Sequence, residues 1–104
     1  MSDQRTLPQE LTIYTISETY PMCLSWLDAH AHSIEDDPCL QVAAHAVMEV
    51  DAAGVQLLMS LSNSLLARQR QLQLLNPSEN LSAACLALGA GGLLAQANAM
   101  GGTH

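Results

Sequence analysis

The chain has 104 residues, a formal net charge of −7, three arginines and no lysine. That length holds one small domain with a modest core, and so few cations exclude the row of phosphate contacts on which nucleic-acid binding depends. Charged residues are only 12% of the chain, so Gln, Ser, Asn and Ala must cover much of the surface, a composition that invites protein partners or self-association into a homo-oligomer. Residues 1–5 show no basic segment leading into an apolar core, and no apolar run approaches the roughly 20 residues needed to span a bilayer. A soluble, cytoplasmic chain without membrane insertion is expected. Cys23, Cys39 and Cys85 are widely spaced in apolar settings, which suits buried thiols in a reducing compartment.

Two short extended segments, 5–7 and 10–14, come first, separated by Pro8, with Leu7, Leu11 and Ile13 expected to face the core. Thr15-Ile16-Ser17-Glu18 has the form of a capping box at the start of a helix. Pro21 falls inside that helix, which predicts a distorted first turn or a start near Ser17. Cys23, Leu24, Trp26 and Leu27 supply its buried stripe to about Ala31. The polar stretch to Pro38 is a surface loop in which His30 and His32 stand beside Glu35, Asp36 and Asp37. This set lacks the fixed ligands of a structural zinc site, so neither a metal nor another cofactor is expected. Residues 39–44 are apolar except for Gln41 and predict a central strand buried on both faces, followed by a short connection, 45–50.

The stretch from Val47 to Pro77 organises the rest. Asp51 is a good N-cap, because its carboxylate can accept from first-turn amides that have no partner within the helix. Val55, Leu58, Leu61, Leu65 and Leu66 then recur at three- and four-residue steps, with Gln56, Ser60, Asn63 and Arg68 off that stripe. Ser60, Ser62 and Ser64 are expected as small polar surface residues. An apolar strand follows at 72–75, and Asn76-Pro77-Ser78 turns the chain and caps a third helix carrying Leu81, Cys85 and Leu88, with Glu79 in its first turn and Gly89 at its end. Glycines argue against a helix over 90–100, where Leu93 and Leu94 are placed to dock on the sheet, and 95–104 is expected to be a mobile tail on a core of about 7–94.

Strands alternating with helices predict a single α/β domain: a mixed, largely parallel sheet of four to five strands with helices packed mainly on one face. No serine, histidine and acid form a nucleophile arrangement, and no Gly-rich phosphate loop follows a strand. His45 and Asp51 could meet across the loop between them, but a lone His-acid pair is more often a surface hydrogen bond than a dyad. An enzyme is not expected.

The run Glu49-Val50-Asp51-Ala52-Ala53-Gly54-Val55-Gln56-Leu57-Leu58, followed by Gln71-Leu72-Gln73-Leu74-Leu75-Asn76-Pro77-Ser78, resembles the STAS domain, the fold of bacterial anti-sigma factor antagonists. The resemblance covers most of the chain, from about Leu7 to Leu94. Members typically carry Asp-Ser-Ser-Gly or Asp-Ser-Ala-Gly where this chain has Asp51-Ala52-Ala53-Gly54, and phosphorylated members are modified on a hydroxyl there. This chain has none, and it also has Ala43 and His45 where the family usually places an aspartate and a serine or threonine. Without a hydroxyl at those positions the serine or threonine phosphorylation of those members is not expected there.

The resemblance implies a regulatory module that docks on a protein through the Asp51 loop and the helix after it, without a phosphorylation switch. Asp51, Ala52, Ala53 and Gly54 form the loop, and Met59, Ser62, Asn63 and Leu66 form a nearly uncharged contact patch on the helix. Asp51 either caps the helix alone or caps it and meets the partner with the free amides beside it. The partner implied is an anti-sigma or histidine-kinase-type protein or a chemotaxis component. The alternative is the ATPase of a lipid-asymmetry ABC transporter, with the chain as its accessory subunit. A small-ligand sensor is a third, lesser reading.

Overall fold

The structure is a computed structural model that describes residues 5–31 and 39–94. The side chains of His30 and His32, the acids that follow them and the expected mobile tail at 95–104 lie outside this description. In chain order the elements are β1 (Arg5–Thr6), β2 (Glu10–Leu11), α1 (Ile16–Ala31), β3 (Cys39–Ala43), β4 (Glu49–Val50), α2 (Ala52–Ala67), β5 (Gln71–Leu75) and α3 (Glu79–Ala87), with a last helical turn at 91–94. The fold is α/β with short parallel sheets. Among the described residues no helix is long and apolar enough to cross a membrane.

The five strands divide into two sheets, ordered β1-β3-β5 and β2-β4, and every pairing is parallel. The first two strands do not pair with each other. Leu7 donates to the Ala43 carbonyl at 2.9 Å, the chain steps over Pro8, and the Gln9 carbonyl then accepts from Met48 and Glu49. Residues 45–50, expected as a plain connection, thus end in a strand. β2 stops after two residues because hydroxyls compete for the backbone: Thr12 donates its amide to Thr15 Oγ1 at 3.1 Å, and the Thr15 hydroxyl faces the Glu10 carbonyl at 3.0 Å. The predicted strand over 10–14 and the capping box both give way to this turn, and Ile13, expected in the core, is 59% exposed.

α1 begins at Ile16 and runs through Pro21 without ending. Its buried face carries Thr19 and Cys23, with Trp26 and Leu27 packed at the edge, while Leu24 is exposed rather than part of the stripe. In the central strand β3, Leu40 and Val42 join the core, whereas Gln41 on the other face is exposed and donates Nε2 to Gln73 Oε1 at 3.0 Å. β3 is therefore central but not buried throughout on both faces.

Leu40, Val42, Leu72 and Leu74 share one core with Val55, Leu58, Leu61 and Leu65 of α2 and with Leu81, Cys85, Leu93 and Leu94. Ser78 caps α3 by accepting from Leu81 N at 3.1 Å, and Gly89 closes it at φ 75°, where a glycine carries no steric cost. The α3 stripe is one residue short of expectation, since Leu88 is exposed. The glycines at 91 and 92 do not prevent a helical turn, because burial of Leu93 and Leu94 outweighs their poor propensity.

Candidate docking site on the second helix

The site starts at the N-terminus of α2. Asp51 caps it, accepting from Gly54 N at 3.1 Å through Oδ1, and its other oxygen accepts from Ile13 N at 3.0 Å. One carboxylate thereby ties the helix to the turn after β2. These hydrogen bonds, that from Ile13 foremost, hold the Asp51 carboxyl below its ordinary value against a smaller opposing effect of desolvation. With both oxygens engaged, Asp51 works as a latch. No hydrogen bond joins it to exposed His45 among the described residues, so the possible His-acid pair does not form.

Gly54 is buried, and a Cβ there would stand 2.1 Å from the Leu11 carbonyl oxygen. Close approach of two backbones is its role, and the expected contact between Gly54 and a partner is corrected accordingly. Ala53 is half-buried and Ala52 exposed. The loop side chains that do project are two that the sequence reading left out of the site: Ile13, and Tyr14 at 85% exposed. Their signal was the Thr12 and Thr15 pair, which closes a turn and turns the residues between outward.

Along α2 the exposed positions include Ala52, Gln56, Met59, Asn63 and Leu66, a ridge that carries no charge. Met59 is 39% exposed and Leu66 49% exposed. Leu66, which periodicity assigns both to the apolar stripe and to the patch, belongs to the patch. Ser62 is corrected: only 6% exposed, it falls in step with Val55, Leu58 and Leu65 on the inner side of the helix and is not a surface serine.

All four predicted patch residues nevertheless line one groove. Met59, Ser62, Asn63 and Leu66 form one wall, and Gly89, Ala90, Gly92 and Leu93 form the other, around a volume of about 240 Å³. A smaller groove of about 130 Å³ runs on the other flank of α2, between Ser60, Ser64 and the α1 residues Tyr20 and Leu24. The ridge is thus bordered by two depressions, with exposed apolar side chains on both sides. This shape can seat apolar side chains of another protein, and the hydroxyls and amides in it can hydrogen-bond at the margins.

Among the described residues no three His, Cys, Asp or Glu side chains are grouped to hold a metal ion. Ala52 and Ala53 stand in the first turn of α2, where the resemblance would place a phosphoacceptor. Compared with family models, with curated proteins and with solved structures, the chain matches none.

Proposed function

We propose that the chain is a non-catalytic, cytoplasmic regulatory module that binds another protein through the ridge of α2 and the loop ahead of it, resembling an anti-sigma factor antagonist of the STAS family. The observation that carries this reading is the charge-free outer face of α2, with Met59 and Leu66 exposed, on a chain of net charge −7. Interface cores are poor in charge and rich in Met and aromatic residues, and Tyr20 borders this face. The Asp51 latch supports the reading by fixing the knob at the helix tip. With Ala52 and Ala53 in place of hydroxyl residues, docking is constitutive, and the partner is a histidine-kinase-type or chemotaxis protein.

Affinity capture with the full chain, followed by identification of the bound protein, tests this. Met59→Glu and Leu66→Glu are expected to lose the captured protein while keeping the far-ultraviolet spectrum and melting cooperativity. Capture unaffected by either change would overturn the docking face. Recovery of a membrane-transporter ATPase would place the chain in the transporter instead. Phosphate found at any residue from His45 to Gly54 after incubation with a cognate kinase would end the constitutive reading.

A further inference from the structure

The same ridge is complementary to itself. Ala52, Gln56, Met59, Asn63 and Leu66 follow at steps of four, three, four and three residues, the spacing at which two helices lie side by side and interlock their side chains. Reversed end for end about Met59, the ridge sets Met59 against Met59, small Ala52 against large Leu66, and the Gln56 amide beside the Asn63 amide. Bulk and hydrogen-bonding capacity then match along its length. Charge is arranged to suit the same reversal: exposed Glu49 stands at the N-terminal end of α2, and exposed Arg68 follows its C-terminal end. An antiparallel copy brings arginines to carboxylates, whereas a parallel copy opposes like charges.

We propose that a second copy of this chain docks antiparallel on α2, with a two-fold axis through Met59. The N-terminal half of each helix covers the groove that lines the C-terminal half of the other. The interface is isologous and closed, so it ends at a dimer. This inference rests on the geometry of the ridge and the charges beyond its two ends rather than on the identity of a foreign partner. It adds a consequence: self-association and capture of that partner exclude each other.

Sedimentation equilibrium of the full chain from micromolar to millimolar concentration tests it. A monomer–dimer equilibrium that weakens with added salt is expected. Arg68→Glu weakens the dimer further, and Glu49→Arg combined with Arg68→Glu restores it. Met59→Cys, on the axis, forms a covalent dimer under mild oxidation, and Leu86→Cys, more exposed but off the ridge, does not. Far-ultraviolet spectra confirm that each variant is folded, and the cysteine pair decides the matter should a charge variant unfold. A chain monomeric at millimolar concentration, or cross-linked equally at both positions, overturns the proposal. If partner capture still depends on Met59 in that case, the docking face stands and only the dimer falls.

Discussion

At the scale of single residues, the junction between α2 and β2 rests on Asp51 and Gly54, which do different work. Asp51 accepts from Gly54 N and Ile13 N, so Asp51→Ala is expected to lower the thermal midpoint and loosen the turn at residues 12–15. Asp51→Asn keeps an oxygen for the cap and should lose less. The pH dependence follows from the direction of the shift. The folded carboxyl titrates below its unfolded value, so the contribution is complete above the ordinary carboxylate range and fades as pH falls through that range toward the folded value. Urea midpoints of wild type and Asp51→Ala should therefore converge on acidification, and a constant gap would show the charge to be irrelevant. Gly54→Ala faces backbone instead: the new Cβ would meet the Leu11 carbonyl oxygen at 2.1 Å. Alanine gains about 1 kcal/mol of helix propensity over glycine, but forcing the junction apart costs about 1–3 kcal/mol, occasionally more. The expected outcome is a less stable protein, measured by urea unfolding, with β2 displaced from the helix.

Secondary-structure elements show where local rules yield to packing. Pro21 lies at the sixth position of α1, beyond the first turn in which proline is tolerated, and removes the donor that would serve the Ser17 carbonyl. α1 survives because Thr19, Cys23, Trp26 and Leu27 anchor it to the core. Pro21→Ala should stabilise the protein by up to about 3 kcal/mol, and an unchanged urea midpoint would mean that the helix has already relaxed around the ring. On the sheet, Gln73 is buried and accepts from Gln41. Gln41→Ala leaves that oxygen without its donor, a loss of about 1–3 kcal/mol, whereas Gln73→Leu should cost less because it removes the buried polar group itself. The helices were legible in the sequence because a 3.6-residue apolar period and the caps Asp51 and Ser78 are local signals. The same holds for the patch from Met59 to Leu66, since residues on a helix keep their relative facing wherever it packs. The pairing of β1 with β3 and of β2 with β4 was not legible, because two-residue strands carry no period and their partners lie more than thirty residues away. Ile13 was misplaced for a related reason: alternation assigned it inward, but Thr12 and Thr15 end the strand before it.

The whole molecule places its thiols so that they report on its unfolding. No disulfide joins the three cysteines. Cys23 is buried where α1 meets α2, and burial pushes its thiol up to about 11. Cys85 lies in the core on α3 and is likewise raised by burial, while Cys39, at the start of β3, is partly exposed. Attack on an alkylating reagent requires thiolate and access, and burial denies Cys23 and Cys85 both. At mildly alkaline pH the native protein should therefore react first at Cys39. Cys23 and Cys85 wait for the structure to open, and which opening they wait for distinguishes two architectures. If α1 is held to α2 as firmly as α2 is held to the sheet, the two buried thiols react at one rate with one dependence on urea, set by global unfolding. If α1 detaches alone, Cys23 reacts faster than Cys85 and with a weaker dependence on urea, because less surface is exposed in that opening. The shared core of Cys23, Leu57, Leu61 and Cys85 predicts a single rate. Mass analysis of alkylated peptides over time reads both sites in one experiment, and modification of Cys23 as fast as Cys39 would refute the packing of α1 on α2.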